Sequence, residues 1–293
     1  MKHKFSGTGV AIVTPFRKDG SIDFNALIKL TKHLLKAKVN YIVALGTTGE
    51  SVTLNKEEKQ AVINIIKKEI KGKIPLVIGI GGNNTQEIVN NIKNQDFTGI
   101  SAILSVSPYY NKPSQKGLYK HYKDIANACP VDVILYNVPG RTGGNISAET
   151  TLKLATDFKN IVAIKEASAN FEQIMEIIKN KPEDFAVISG DDALTLPLIS
   201  IGMTGVISVV ANAYPSEMSE IVNHTLKGNF KKAQEYHYKL IDFTNCIFSE
   251  GNPSGIKAAL QIKGIIENNL RLPLTKITKS TFNKLSDIMK DIK

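Results

Sequence analysis

The stretch IVAIKEAS, residues 161–168, decides how this chain is read. Four apolar residues, Ile161 to Ile164, run without alternation into Lys165 and Glu166. An unbroken apolar run of this length is the pattern of a strand buried on both faces in a parallel sheet. The lysine is the exception, because lysine is almost never fully buried without a partner. Taken out of water, an amine favours its neutral form, which is the nucleophilic one. The competing reading is a strand-end lysine whose stem lies on apolar surface while its head stays in solvent. Of 37 basic residues only Arg17, Arg141 and Arg271 are arginines, and among the lysines Lys165 alone sits inside an apolar strand run.

Outward from this stretch the same alternation of strand and helix repeats. Strands are expected at 9–16, 41–46, 75–81, 99–110, 131–140, 161–168, 185–192 and 205–211. Each is followed by a helical pattern, and the second helix carries the clearest signals. Asn55 with Glu58 three residues on reads as a capping box. Ile63, Ile66 and Ile70 then fall on one face, the spacing of a helix lying on a sheet. Crossovers of this length imply parallel strands and right-handed connections. Eight such units close naturally into a (β/α)8 TIM barrel, an α/β fold. A doubly wound sheet is the alternative, but no strand is followed by GxGxxG, its usual dinucleotide signature. Residues 229–293 differ: they read as three helices, at about 229–249, 254–267 and 279–291, punctuated by Pro253 and Pro273. The expected organisation is therefore a catalytic barrel over 1–228 and a helical extension, packed beside it, over 229–293.

Composition narrows the function classes. A length of 293 residues with 42% hydrophobic content supports a large core. The formal charge of +10 comes from lysines scattered over helical segments, with no aromatic-basic interleaving. That is a solvated surface mildly favouring anionic substrates, and it excludes a nucleic-acid footprint. Cys129 and Cys246 stand far apart in no CxxC arrangement, which predicts a reducing compartment and no thiolate metal site. The apolar run near the start is cut by Thr14 and Pro15, and no stretch approaches the roughly 20 apolar residues of a membrane span. A cytoplasmic location with no membrane partner is expected.

In a barrel the active site lies at the C-terminal ends of the strands. The unusual residues fall there: Gly46-Thr47-Thr48-Gly49-Glu50, Tyr109 and Tyr110, Tyr136 with Arg141 shortly after it, Lys165, and Gly190-Asp191-Asp192. The glycine-threonine turn offers hydroxyls and backbone amides to a carboxylate or phosphate oxygen, or is an ordinary strand-to-helix turn. Tyr136 could relay protons or anchor packing through a bonded hydroxyl. Arg141, in a glycine-rich loop, could clamp a carboxylate or stand solvated. One of Asp191 and Asp192 is expected to cap the helix that follows. His3, His33, His121, His224 and His237 show no metal spacing and are assigned to surface or packing, and no serine sits in GxSxG. The set points to an amine nucleophile working without metal or organic cofactor.

The motifs GTTGES (46–51), SPYYNKP (107–113), YNVPGRTG (136–143), IVAIKEAS, SGDD (189–192) and GVISV (205–209), in this order, closely resemble the dihydrodipicolinate synthase family of pyruvate-dependent class I aldolases. The resemblance spans essentially the whole chain. It implies a (β/α)8 barrel with a C-terminal helical extension, and a Schiff base between Lys165 and pyruvate whose enamine adds to L-aspartate 4-semialdehyde in the diaminopimelate route to lysine. It implies a proton relay in which Thr47 links Tyr136 to Tyr110, the last lent by a neighbouring subunit. Thr48 is implied to meet the pyruvate carboxylate, Arg141 the semialdehyde carboxylate, and Gly190 and Ile207 to make main-chain contacts near the imine. A homotetramer built as a dimer of dimers is implied. So is a feedback site for lysine involving Ser51, Asn83, Glu87 and Tyr109, although Lys56 stands where lysine-sensitive relatives often carry histidine. The residues GNPSGIK, 251–257, match the family's pattern more loosely. Sugar-acid aldolases share this lysine and tyrosine, and a non-catalytic binder of 2-oxo acids could keep the same pocket. The arginine in GRTG favours the synthase.

Overall fold

In the computed structural model, which describes residues 3–292, eight parallel strands close into a barrel in sequence order. They are β1 (Gly7–Ala11), β2 (Tyr41–Ala44), β3 (Leu76–Gly79), β4 (Ala102–Val106), β5 (Asp132–Asn137), β6 (Ile161–Glu166), β7 (Ala186–Ser189) and β8 (Gly205–Ser208). Between them run α1 (Phe24–Lys36), α2 (Lys56–Ile70), α3 (Thr85–Lys93), α4 (Gln115–Ala128), α5 (Pro139–Thr142), α6 (Ala148–Asp157), α7 (Phe171–Asn180) and α8 (Thr195–Ser200). After β8 come α9 (Pro215–Leu226), α10 (Phe230–Phe248), α11 (Ser254–Ile262) and α12 (Lys279–Asp291).

Local chemistry sets these boundaries. Asn55 and Glu58 form the expected capping box at the start of α2, and Ser114 and Ser147 cap α4 and α6 with their side chains. The strands are shorter than the apolar runs that announce them. Beyond Ala11 the ladder runs out: Ile12 N still donates to the Val43 carbonyl at 3.1 Å, but Val13 N turns to Asn212 Oδ1 at 3.2 Å, Pro15 has no N–H to donate, and Phe16 keeps only an isolated bridge to Ile22. Helix α11 stops at Ile262, not near 267, since Gly264 takes a left-handed turn at φ +66°.

Two apolar layers result. Tyr41, Val43, Leu104, Ile134, Ala163, Ile188 and Ile207 fill the barrel interior. A larger layer, including Ile42, Ile78, Leu135, Ile164 and Val187, lies between strands and helices. Strands β5 and β6 do not pair evenly: Val133 faces Ile161, but Ile134 faces Ala163, so Val162 is an extra residue on β6. Ile161 consequently packs in the outer layer and Ala163 in the inner one.

The extension is built into this outer layer. Phe243 of α10 stands edge-on to Tyr214 at 4.8 Å. Helix α11 is apolar nearly all round, with Ile256, Ala258, Ala259 and Leu260 fully buried. A Cβ on Gly255 would lie 2.0 Å from the Ile247 carbonyl oxygen, so only glycine lets α11 approach α10 this closely. No helix among the described residues is long and apolar enough to cross a membrane.

One packing residue makes stability depend on pH. His121 is buried on α4, with Nδ1 2.8 Å from Thr85 Oγ1, and burial pushes its pKa down to about 4. The unfolded chain therefore binds an extra proton between about pH 6.5 and 4, and stability falls as pH drops through that window. The loss by pH 5 is about 2 kcal/mol. Urea midpoints at pH 7.5 and 5 should converge by that amount in His121→Gln relative to the native chain; an unchanged difference would overturn the assignment.

Candidate active site

The site forms where β5, β6, β7 and β8 end. Tyr136 and Lys165 are register partners, both turned into the barrel. Lys165 is 6% exposed, and its Nζ lies 4.2 Å from the centre of the Tyr136 ring. Among the described residues no carboxylate pairs with this amine and no acceptor bonds to it. The strand-end snorkelling arrangement is therefore absent. Gly190 leaves the room the side chain needs: a Cβ there would sit 3.0 Å from Lys165 Cε and 2.7 Å from Ala167 Cβ. Ile207, on β8, is buried in the same interior layer.

The next residue on each strand faces the opposite way. Glu166 and Asn137 are fully buried outside the barrel wall, with Asn137 Nδ2 3.0 and 3.1 Å from the two carboxylate oxygens. Ser168 N and Gln173 Nε2 donate to the same carboxylate at 2.8 and 3.1 Å. Asn137 also donates to Asn145 Oδ1 and accepts from Ile146 N. Burial raises the Glu166 pKa, and these donors pull it back only in part. The network ties the ends of β5 and β6 together immediately behind Tyr136 and Lys165. Asn137 lies within YNVPGRTG, but Asn145 and Gln173 belong to no motif, because asparagine and glutamine in loops and helix starts read as ordinary surface residues.

The connection from β2 to α2 carries Thr47, exposed, and Thr48, buried. Thr48 Oγ1 accepts from Asn252 Nδ2 at 2.9 Å. Glu50, fully buried with φ +52°, forms an ion pair with the equally buried Lys257 of α11 and accepts from Arg271 N at 3.2 Å. Arg271 also holds Glu58, the Thr53 carbonyl and the Gly20 carbonyl. Asn252 and Lys257 lie in GNPSGIK, the stretch that matches the family's pattern more loosely, and neither they nor Arg271 are expected in the site from the sequence. Lys257 has a signal of the same kind as Lys165, a lysine inside an apolar run, SGIKAALQI, but on a helix.

The remaining candidates stand on the rim. Tyr110 is 89% exposed, at φ +69°, and so packs against neither Tyr136 nor Lys165. Among the described residues no hydrogen bond joins Thr47, Tyr136 and Tyr110. Arg141 is exposed within α5, a single helical turn opened by Pro139 where a loop is expected. Ser51 lies in a short 3-10 turn, Lys56 opens α2, and Glu87 lies in the first turn of α3. Asn83 Nδ2 reaches the Tyr109 carbonyl at 3.5 Å, while among the described residues no hydrogen bond or ion pair joins Ser51 or Lys56 to either residue. Neither aspartate caps α8 itself, whose N-cap is Leu194. Asp191 accepts from Ala193 N and Leu194 N in the turn before it. Asp192 reaches across to Ser208 Oγ and Val209 N on β8, and its burial lifts its pKa to about 6. Two adjacent acids thus have separate tasks, one closing a turn and one joining strands.

Comparison with known proteins fits this geometry. The model of the dihydrodipicolinate synthetase family matches residues 4–292. A 4-hydroxy-tetrahydrodipicolinate synthase of Phocaeicola vulgatus is 49% identical over 290 residues, covering 99% of this chain and 98% of the relative. A dihydrodipicolinate synthase from Cyanidioschyzon merolae, solved with lysine bound, superposes with a TM-score of 0.96 at 41% identity, covering 99% of both chains. The chloride-inhibited synthase from Acinetobacter baumannii, solved with pyruvate, gives 0.95 at 41% identity, covering 98% of both.

Proposed function

The chain belongs to the dihydrodipicolinate synthetase family, and on that premise we propose that Lys165 forms a Schiff base with pyruvate and directs its addition to L-aspartate 4-semialdehyde. The activity is that of a 4-hydroxy-tetrahydrodipicolinate synthase, a Schiff-base-forming lyase. The observation that carries the assignment to Lys165 is its unpaired, buried amine at the inner end of β6, beside Tyr136.

The neutral Nζ attacks the ketone carbon, and loss of water leaves an iminium. That cation draws electrons from the neighbouring methyl group, which loses a proton to give an enamine. The enamine carbon bonds to the aldehyde carbon, and the substrate amine displaces Lys165 as the ring closes. Thr48 and its amide hold the pyruvate carboxylate, and Arg141 the semialdehyde carboxylate at the rim. Gly190 and Ile207 supply main-chain contacts near the imine. Protons move through neutral hydroxyls of Tyr136, Thr47 and a Tyr110 lent by a second copy. On this reading residues 1–228 are the catalytic barrel and 229–293 its extension. The enzyme works in the cytoplasm as a dimer of dimers. A fully active monomer, seen by sedimentation at assay concentration, would refute the shared tyrosine.

Incubation with pyruvate and borohydride, followed by mass mapping, tests the function: a reduced adduct on Lys165 is expected. Turnover with aspartate semialdehyde but not with N-acetylneuraminate then distinguishes the synthase from the sugar-acid aldolases.

Feedback by lysine should be weak or absent. If Ser51, Asn83, Glu87 and Tyr109 form the feedback site that the resemblance implies, the exposed Lys56 ammonium that belongs to the same set repels a cationic effector by on the order of 1 kcal/mol. Inhibition at micromolar lysine would contradict this.

A further inference from the structure

The loop that carries Thr47 and Thr48 has little structure of its own. It consists of tight turns, one 3-10 turn and two residues, Leu45 and Glu50, in the left-handed region that disfavours a side chain. What fixes it comes from distant parts of the chain. Thr14 Oγ1 donates to the Gly49 carbonyl at 2.7 Å. The other anchors all belong to the C-terminal extension: Asn252 on Thr48, Lys257 on Glu50, and Arg271 on Glu50 and Thr53.

The bond to Thr48 has a chemical consequence. A hydroxyl has one hydrogen and two lone pairs. With Asn252 Nδ2 donating to the oxygen at 2.9 Å, the hydrogen of Thr48 is left free to donate elsewhere, to an anionic oxygen above all. The amide is not explained by packing. Asn252 is 9% exposed, yet its Oδ1 meets no donor among the described residues, so an apolar side chain of similar shape would cost less.

We propose that Asn252 is a positioning residue for pyruvate, acting through Thr48, so that the C-terminal extension completes the carboxylate subsite of the barrel. The proposal deepens the functional reading above and rests on it, since it takes Thr48 as the carboxylate contact. The ion pair of Glu50 with Lys257 keeps the loop seated on the extension, and Asn252 sets which way the hydroxyl of Thr48 points.

The test is borohydride trapping on Lys165 as a function of pyruvate concentration, together with thermal melting. In Asn252→Leu the half-saturating pyruvate concentration should rise about tenfold, with labelling at saturation unchanged. In a Thr48→Val background the same substitution should change it less than twofold, because the group through which Asn252 acts is gone. An unchanged half-saturation in Asn252→Leu, or an equal shift in both backgrounds, would overturn the proposal. Should Asn252→Leu not fold, Asn252→Asp serves: its carboxylate captures the Thr48 hydrogen, and half-saturation should again rise at least tenfold. The native protein separates the two levels. Absence of any adduct there defeats the functional reading, and the proposal with it, whereas an adduct with variant-insensitive saturation defeats the proposal alone.

Discussion

Replacing Lys165 with methionine is expected to lower turnover by on the order of 10^4-fold or more and to abolish the pyruvate-borohydride adduct. Methionine keeps the length of the side chain and its packing against Tyr136 and Gly190, so the fold should survive. Among the described residues the other buried lysine, Lys257, is engaged with Glu50 and is not placed to take over. Pyruvate should still bind, though without covalent capture. The variant's melting temperature and its residual rate therefore read two different things. A variant that retained a tenth of native turnover would remove Lys165 from the mechanism.

Lys257→Met should be the most destabilising of the substitutions considered. Burial lowers the Lys257 pKa to about 8, and the neighbouring carboxylate of Glu50 offsets only part of that. The amine is thus still charged at pH 7, and both partners of the pair are fully buried. Removing one leaves Glu50 buried beside a single backbone donor, Arg271 N. Breaking such a pair from one side costs about 3–5 kcal/mol, which for a domain of this size lowers the melting temperature by roughly 10 °C. Adding Glu50→Gln should recover a substantial part, since the stranded charge disappears. Equal melting of Lys257→Met and the native chain would show that the pair contributes no net stability.

The barrel was legible because its signals are local and repeated: an apolar run followed by a helical pattern recurs eight times, with a capping side chain at the start of α1, α2, α3, α4, α6 and α7. Asn55 with Glu58, Ser114 and Ser147 could each be read as helix starts, since capping needs only the residues involved. Lys165 was legible as a charge closing an apolar strand. The anchoring of its surroundings was not. Asn252 and Thr48 lie 204 positions apart and Arg271 and Glu58 213, and no local pattern marks such a pairing. Reading residues 229–293 as helices packed beside the barrel left no place for that contact, yet α11 sits within the outer core, and its Lys257 and the preceding Asn252 both reach the catalytic loop. Strand lengths were overestimated for a related reason: buried apolar residues continue past the end of the paired strand, as Ile12 and Val13 do after β1.

The extra residue on β6 decides more than the fit of two strands. IVAI gives no alternation from which to tell inside from outside, and Lys165 and Glu166 are adjacent, so the two faces receive an amine and an acid. Counted in strict alternation from Ile161, which packs outward, Glu166 would point into the barrel and Lys165 away from it. Val162 reverses that count. Were Val162 paired regularly with β5 and not bulged, a change far from any reacting atom, base and acid would be exchanged at the mouth of the barrel while every functional side chain stayed in the sequence. The enzyme's chemistry is in this sense encoded as parity, and a comparison that checks only whether the lysine is present would overlook its loss.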